Sequence, residues 1–323
     1  MSRAAFGARS GLYASGKEGV FRYDPVSGNW SDISPRPGAK DWCAIAVAPS
    51  DPQVVLAAEY DYSFGTPFWL SRDGGQTWRE LTQANGGVIA RSDVPWHPSE
   101  WFASATSCFA FDPTDANRVW FTDWYATWRS DNLLAQVPDW RTFESGHEEV
   151  VGLSLVAPRE GAGIGLYSGH ADVGGFAHES FAAFPSKSLR AAAGDGLRLL
   201  VEITGIAVGG NSPAAAAFVG ADGWDDASGK PQQGGLYISS ERGRTLARAS
   251  GYESEWKWGR VAMSAGDPRN LVVVTRSGGV QFSRDGGSSF QPSAGLLTGG
   301  KAYGISGHIF NRIHPLAADA VTD

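Results

Sequence analysis

Short apolar runs alternate with polar turns along most of the chain. The runs Val54–Ala58, Val119–Thr122 and Leu271–Thr275 are rich in β-branched or aromatic residues, and each follows a turn that contains proline. Runs of four or five residues are too short for the helices of a globular protein and match the length of strands. The pattern therefore predicts pairs of short antiparallel strands joined by proline-containing turns.

The turn prolines recur at intervals that set the size of a repeating unit. They lie 45 to 61 residues apart, at Pro52, Pro113, Pro158, Pro213, Pro268 and Pro315. Such an interval holds four short strands, and a series of four-stranded units is typical of propeller blades. The sequence predicts an all-β fold, a β-propeller of six to seven blades in a single domain, 1–323. The expected units are 35–82, 101–145, 150–189, 200–250, 258–295 and 305–323, together with 11–34.

The last predicted unit stops at Asp323, where its second strand should begin. Either the N-terminus fills this unit, in which case residues 11–16 pair with strands near 309–322, or an open sheet edge remains. An open edge invites dimerisation or aggregation.

An eight-residue motif repeats within these units. Ser71–Trp78 reads Ser-Arg-Asp-Gly-Gly-Gln-Thr-Trp, Ser283–Phe290 reads Ser-Arg-Asp-Gly-Gly-Ser-Ser-Phe, and Ser239–Leu246 is a weaker copy. In such a turn the aspartate accepts backbone N–H bonds, glycine supplies a positive φ and the aromatic ring packs beneath. The motif resembles the Asp-box (BNR repeat) of sialidases, of glycoside hydrolase family 74 and of several non-enzymatic propellers. We expect Asp73 and Asp285 at outer hairpin turns, with a structural role.

Composition and charge narrow the classes of partner. The chain has 323 residues with 13 Trp, more than a core needs, so some flat aromatic faces are expected at the surface. The net charge of -7 and the lack of a basic stripe disfavour nucleic acid. No apolar stretch approaches the ~20 residues of a membrane span, and the first residues lack the apolar region of an export signal.

Metal, cofactor and disulfide sites are not expected. His170, Asp172 and His178 have the side chains of metal ligands, but a strand turn with two glycines provides no ligand geometry. No phosphate loop or dinucleotide fingerprint occurs. Two cysteines, Cys43 and Cys108, cannot form a disulfide framework, and we expect both to be buried thiols.

A stretch of about 90 residues after the first box carries the chemical signal. In chain order it contains Trp96, Trp101, Asp112-Pro113, Thr122–Trp128, Gly146–Val150 and Gly169–His178. This order resembles the C-terminal propeller of glycoside hydrolase family 74. The resemblance implies a β-1,4-glucan backbone substrate, typically xyloglucan, cut with inversion by two aspartates that face each other across a cleft between two propellers. It also implies a secreted or periplasmic protein.

The chain departs from that family in two ways. It holds about one propeller where the family has two, so the resemblance implies a second propeller or a homodimer that completes the cleft. It also has Thr122-Asp123-Trp124 where the family usually has Gly-Thr-Gly. No catalytic aspartate is carried over from the family.

The residues of the same stretch point to sugar independently. Pyranose rings pack on aromatic planes while carboxylates bind hydroxyls. Hydrolysis with inversion needs an acid and a carboxylate about 6.5–9.5 Å apart. The predicted catalytic residues are Asp123, Asp172 and Glu149. The predicted substrate-binding residues are Trp96, Trp101, Trp124, Tyr125 and Trp128.

Each catalytic candidate has a structural alternative. Asp123 follows an apolar run and precedes Trp124, so it is expected where a strand leaves the sheet, with a raised pKa that suits an acid. Asp172 is expected at a comparable place one blade later, so that both line one groove. The alternatives are a strand-end hydrogen-bonding role for Asp123 and a turn-capping role for Asp172. Of Glu148 and Glu149, at most one can face a cleft, because adjacent strand residues point to opposite faces.

The same sequence features fit other functions. A non-catalytic Asp-box propeller that binds a glycan or a protein partner is the main alternative. A sialidase is disfavoured because no blade-spaced trio of arginines is present. The aromatic segment Tyr252–Trp258 fits sheet-edge packing and a sugar platform equally well.

Overall fold

The computed structural model describes residues 3–7, 11–38, 41–61, 65–146, 150–159, 162–185, 188–189, 201–221, 233–293 and 316–318. These residues form an all-β fold, as predicted, with two short 3-10 helices, Ser99–Trp101 and Ser254–Trp256, and no α-helix. No helix in this part of the chain is long and apolar enough to cross a membrane. The chain divides into two compact units, 1–149 and 150–323.

The described residues of unit 1 form three sheets, each contiguous in sequence. The first has four antiparallel strands, β1 (Arg3–Gly7), β2 (Gly11–Gly16), β3 (Gly19–Asp24) and β4 (Asn29–Asp32). The second has β5 (Trp42–Val47), β6 (Val55–Glu59), β7 (Phe68–Ser71) and β8 (Arg79–Leu81). The third has β9 (Ile89–Arg91), β10 (Cys108–Phe111), β11 (Val119–Thr122), β12 (Thr127–Ser130) and β13 (Asp139–Thr142), with β9 parallel to β13.

The first sheet overturns the predicted pairing of residues 11–16. Tyr13, in the middle of β2, pairs with Ala5 on one side and with Arg22 on the other. Because β1 and β3 occupy both edges of β2, residues 11–16 cannot also pair with strands near 309–322. The sequence pattern missed β1, whose run Arg-Ala-Ala-Phe-Gly has no β-branched residue.

Unit 2 contains three more sheets among its described residues. The first has β14 (Gly152–Val156), β15 (Leu166–His170) and β16 (Gly175–His178). The second has β17 (Glu202–Val208), β18 (Ala216–Ala221), β19 (Gly234–Ser239) and β20 (Ala247–Arg248). The third has β21 (Gly259–Met263), β22 (Leu271–Thr275), β23 (Gly279–Ser283) and β24 (Gln291–Pro292).

The strands of these sheets fall inside the units expected from the proline spacing, apart from β1 and β9. The unit 305–323 lies outside the described residues except for 316–318. The single domain 1–323 stays a prediction.

The three box turns join the third and fourth strands of their sheets. In the first, Asp73 accepts hydrogen bonds from the Thr77 backbone N–H (2.8 Å) and hydroxyl (2.5 Å), while the Gly75 N–H donates to Ser71 (2.8 Å). Asp285 has the same contacts with Ser289, at 3.0 and 2.6 Å. These bonds lower the pKa of both aspartates to about 2. The turns are therefore closed by carboxylates that remain ionised at neutral pH.

The largest core of unit 1 is aromatic and lies between its second and third sheets. Its members that touch ring to ring are Phe68, Phe102, Phe109, Phe121, Trp128 and Trp140. Edge-to-face pairs of this kind add about 0.5–1.5 kcal/mol each beyond the burial of their area. This core fixes the strand ends that carry the loop around residue 123.

The two thiols differ in exposure. Cys43 is buried, as expected, and its Sγ donates to the Thr106 carbonyl at 2.9 Å. Cys108 is exposed, so the prediction of a buried thiol is wrong there. Cys108 is the first residue of β10, and its side chain lies on the face of the strand opposite the buried Phe109.

Candidate functional site

Asp123 follows β11 directly and closes its own loop through four hydrogen bonds. One carboxylate oxygen accepts from the backbone N–H groups of Tyr125 (2.9 Å) and Ala126 (2.8 Å). The other accepts from the Trp128 indole N–H (2.8 Å) and from the Ala103 N–H (3.1 Å). Both oxygens therefore hold the polypeptide around them, which is the strand-end role considered as the alternative to catalysis.

Burial controls the protonation of Asp123. It raises the pKa of this carboxyl to about 6, although the hydrogen bonds from Tyr125, Ala126 and Trp128 act in the opposite direction. A carboxyl group that titrates near 6 has the acidity of a general acid. The pKa thus fits the predicted acid, and the hydrogen bonds fit a structural role.

The five aromatic residues predicted to bind sugar differ in exposure. Trp128 is completely buried and Trp101 is buried, so neither indole offers a face on which a sugar could stack. They pack the loop instead, Trp128 within the aromatic core and Trp101 against Tyr125 at 4.6 Å between ring centroids. Trp96 and Tyr125 are half-buried. Trp124 is 60% exposed and is the candidate that keeps an accessible ring.

Sequence reasoning missed a buried hydrogen-bonded pair in the same loop region. The Nδ1 of His97 lies 2.5 Å from a carboxylate oxygen of Glu144, and both side chains are inaccessible to solvent. The His97 ring contacts Trp101 and Trp128 at centroid distances of 5.5 and 5.7 Å. The two partners are 47 residues apart in the chain, and no local pattern links positions so far apart.

The loop that donates to Asp123 is strained. Ala103 and Ala105 have φ of 62° and 49°, a region that residues with a Cβ adopt at a cost of about 1 kcal/mol or more. Ala103 donates to Asp123, and Ala105 donates to the Asp61 carbonyl at 2.7 Å. These contacts hold the backbone in a conformation that alanine alone disfavours.

Asp172 lies at the tip of the hairpin between β15 and β16, in unit 2. Its φ is 64°, and the Val173 N–H donates to the Ala171 carbonyl at 2.7 Å, so the three residues form a γ-turn. Around it, the His170 N–H donates to the Gly174 carbonyl at 2.7 Å. A γ-turn with positive φ is rare and strained, and such conformations cluster at functional sites.

The residues that precede β14 and β17 hold this turn on both sides. The Ala171 N–H donates to the Val151 carbonyl (3.0 Å), and the Gly174 N–H donates to the Val201 carbonyl (2.8 Å). Gly169 also lies against β17, where an added Cβ would be 2.4 Å from the Ile203 carbonyl oxygen. The backbone of the turn is therefore fixed by hydrogen bonds on both sides.

A polar chain of three side chains lies at the base of the same hairpin. The Ser168 hydroxyl bridges the Nε2 atoms of His170 (2.9 Å) and His178 (2.8 Å). Burial lowers the pKa of His170 to about 4 and also lowers the pKa of His178. Both imidazoles are therefore neutral at pH 7. The described residues contain no cluster of three or more His, Cys, Asp or Glu that could hold a metal.

Trp258 lies beside the Asp172 turn. It packs with Ala171, and its indole N–H donates to Glu202 at 2.5 Å. Trp258, like Tyr252 and Trp256, is buried, so the aromatic segment serves packing rather than a sugar platform.

The strand register gives the two aspartates comparable positions in their own sheets. Thr122 pairs with Cys108 at the end of β11, and His170 pairs with Gly152 at the end of β15. Asp123 follows one of these strand ends directly, and Asp172 follows the other by two residues. The groove predicted to hold both stays a prediction, and Glu149 lies outside the described residues.

No family model matches the chain. A probable oligoxyloglucan-reducing end-specific xyloglucanase of Neosartorya fischeri is 27% identical over 213 residues, which cover 50% of this chain and 26% of the relative. A xyloglucanase of a Paenibacillus species is 24% identical over 335 aligned positions, which cover 94% of this chain and 31% of the relative. The chain thus spans a third or less of the length of these relatives.

Solved structures agree with the sequence relatives. The GH74 xyloglucanase of Xanthomonas campestris superposes with a TM-score of 0.72 at 25% identity, over 92% of this chain and 43% of that one. The GH74 enzyme of Niastella koreensis superposes with a TM-score of 0.71 at 19% identity, over 90% and 41%, which supports the fold alone. The chain has a β-propeller fold and is homologous to the xyloglucanases of glycoside hydrolase family 74.

Proposed function

We propose that this chain is a carbohydrate-active propeller that takes part in hydrolysing a β-1,4-glucan of the xyloglucan type, with Asp172 as a catalytic carboxylate. The similarity to proteins named xyloglucanase supports the substrate class. Because the chain spans a third or less of those relatives, a second propeller or a second copy that completes the cleft belongs to the same proposal. So does a site of action outside the cytoplasm, where polysaccharides are found.

The observation that carries the proposal is the strained turn at Asp172, held on both sides by hydrogen bonds to Val151 and Val201, the residues that precede β14 and β17. A catalytic group needs a fixed position, and the hydrogen-bonded turn fixes the backbone at Asp172. In hydrolysis with inversion, one carboxylate takes a proton from the attacking water while an acid protonates the leaving oxygen. Asp172 is proposed as one of these two groups.

Two roles for Asp123 stay predictions, a catalytic acid and the residue that closes its loop. As an acid, it should be needed for turnover and not for folding. As the residue that closes its loop, it should be needed for folding. We further propose that the three box turns are Asp-boxes with a structural role, because their carboxylates bond only within their own turns in the described contacts.

The test is hydrolysis of xyloglucan and mixed-linkage glucan by the Asp172→Asn variant, scored as new reducing ends. The amide keeps the shape of the side chain and removes its proton transfer, so the rate should fall by about 10² or more with little change in binding. Asp267→Asn is a matched control in the same unit, since Asp267 is ion-paired to Arg269 at the surface. A variant as active as the parent, or a parent inactive on both glucans, overturns the proposal.

A non-catalytic glycan-binding propeller is the second candidate. The observation that favours it is the exposed Trp124 ring on the loop whose carboxylate is already fully hydrogen-bonded. It predicts retention of the chain on immobilised xyloglucan, loss of retention in Trp124→Ala and no reducing ends from any variant.

A further inference from the structure

A cavity of about 420 Å³ lies in unit 1 between the first box turn and the turn that joins β12 to β13. Its wall is formed by Leu70, Arg72, Thr77, Trp78, Arg79, Leu134 and Gln136. The cavity belongs to the unit that does not contain Asp172, and nothing in the proposed hydrolysis uses it. Its volume suits a single sugar residue or another small polar ligand.

Two guanidinium groups in this wall are fixed by carbonyl oxygens. Arg79 donates to the carbonyls of Gln136 (2.6 Å) and Ala135 (2.9 Å), and Arg72 donates to the carbonyl of Leu134. Carbonyl oxygens orient a guanidinium but do not neutralise it. Each guanidinium has further N–H donors beyond those bonds.

The two arginines differ from the other arginines of unit 1 in their ion pairing. Neither arginine forms an ion pair within the described residues, whereas Arg36, Arg91, Arg118 and Arg129 in the same unit all do. Asp73 lies between them in sequence, but its oxygens bond to Thr77 and Ser71. Burial, followed by repulsion from Arg72, lowers the pKa of Arg79. A bound anion would relieve this repulsion.

The third element of the wall is an aromatic plane. The Trp78 indole N–H donates to the Ile33 carbonyl at 2.8 Å, which fixes the ring, and the ring stays half-exposed along the cavity. A fixed indole beside two guanidiniums matches a ligand that has both an apolar ring face and a carboxylate. A nucleic acid matches less well, because the chain has a net charge of -7 and no basic stripe leads to the cavity.

We propose that this cavity binds the carboxylate of an acidic sugar residue, a hexuronic acid, with the sugar ring against Trp78 and the carboxylate at Arg72 and Arg79. The site adds a charged-sugar subsite to a propeller whose relatives are named for a neutral glucan. It is independent of the proposed hydrolysis, which depends on Asp172.

The test is to titrate the intact chain separately with methyl glucuronide, methyl glucoside and sodium sulfate. Binding is measured by calorimetry and ligand-observed NMR. We expect the glucuronide to bind with a Kd on the order of 1 mM, the glucoside at least about tenfold more weakly, and binding to weaken as NaCl is raised. Arg72→Gln should weaken glucuronide binding about tenfold. Arg269→Gln, which removes the same charge from an exposed ion pair in unit 2, is the matched control and should change nothing.

Several results would overturn the proposal. They are equal affinity for glucuronide and glucoside, no glucuronide binding at ~20 mM, unchanged affinity in Arg72→Gln, and sulfate binding as tight as that of the glucuronide, which would show an anion site without sugar recognition. The comparison of the two glycosides uses the parent chain alone, so it does not depend on whether a variant folds. Xyloglucan hydrolysis measured on the same samples separates failure of this proposal from failure of the proposed function.

Discussion

Asp123 and Asp172 follow corresponding strand ends, but the protein fixes them by opposite means. Asp123 is held through its side chain, because four N–H groups donate to its carboxylate. The turn that contains Asp172 is held through its backbone, because Ala171 and Gly174 bond to the residues that precede β14 and β17, while the φ of Asp172 is strained. A carboxylate whose oxygens already accept hydrogen bonds from four backbone and indole N–H groups is difficult to use in catalysis, whereas a residue positioned by its backbone is better suited to it.

The largest expected effect is on stability. Asp123→Ala leaves the N–H groups of Trp128 and Ala103, both completely buried, without an acceptor, and should lower the free energy of unfolding by about 3 kcal/mol or more. Asp172→Ala should lower it by less than about 1 kcal/mol, because the turn is held by backbone bonds. Urea unfolding of both variants measures the difference. Similar losses would remove the distinction between the two aspartates.

The pH dependence of stability sharpens the same comparison. The pKa of Asp123 rises to about 6 on folding, so between pH 4 and 6 the folded chain binds a proton that the unfolded chain has lost. Its contribution to the free energy of unfolding should therefore fall by about 3 kcal/mol as pH rises through this range. Asp123→Asn should remove this fall, which urea unfolding at pH 4 and pH 7 would detect.

The contribution of His170 to the pH dependence of stability has the opposite sign. Its pKa falls to about 4 on folding, so between pH 6.5 and 4 the unfolded chain binds a proton that the folded chain does not. Its contribution should be lost, by about 3 kcal/mol, as pH falls through this range. The free energy of unfolding of the parent should therefore vary less with pH than that of either variant. In His170→Gln it should fall towards neutral pH. Parallel slopes in Asp123→Asn and His170→Gln would contradict these assignments.

Whether a feature of the fold or site could be predicted from the sequence depends on how far apart in the chain its contacting residues lie. Local patterns identified the box turns, the paired strands and the strand end before Asp123, because each is determined within about 20 residues. The register of β2 between β1 and β3 and the pair His97–Glu144 depend on partners that no local pattern indicates. Burial was the least predictable property. Trp128 and Trp124 are four residues apart and look alike in sequence, yet one is a core residue and the other is exposed.

A smaller effect is expected from relief of strain. Asp172→Gly allows φ of 64° without a Cβ and should raise the free energy of unfolding by about 0.5–1 kcal/mol, while abolishing any hydrolysis. Stability gained together with activity lost would show that the strain serves function. A destabilised variant would instead mean that the Asp172 carboxylate itself supports the turn.

The smallest effect on stability is expected at Trp124. The ring is 60% exposed, so Trp124→Ala should change the free energy of unfolding by less than about 0.5 kcal/mol. Retention on immobilised xyloglucan should nevertheless weaken. Trp128→Ala is the contrasting variant, since a completely buried indole costs about 3–5 kcal/mol to remove. Unchanged retention in Trp124→Ala would remove this ring from the binding surface.

The unequal exposure of the two thiols makes the loop around Asp123 observable. Cys43 is enclosed, while Cys108 is accessible and pairs in register with Thr122, the residue before Asp123. A maleimide fluorophore should therefore attach at one position without prior mutagenesis. Its emission would report changes in polarity at this strand end as oligosaccharides are added. Binding could then be detected whether or not the chain hydrolyses them.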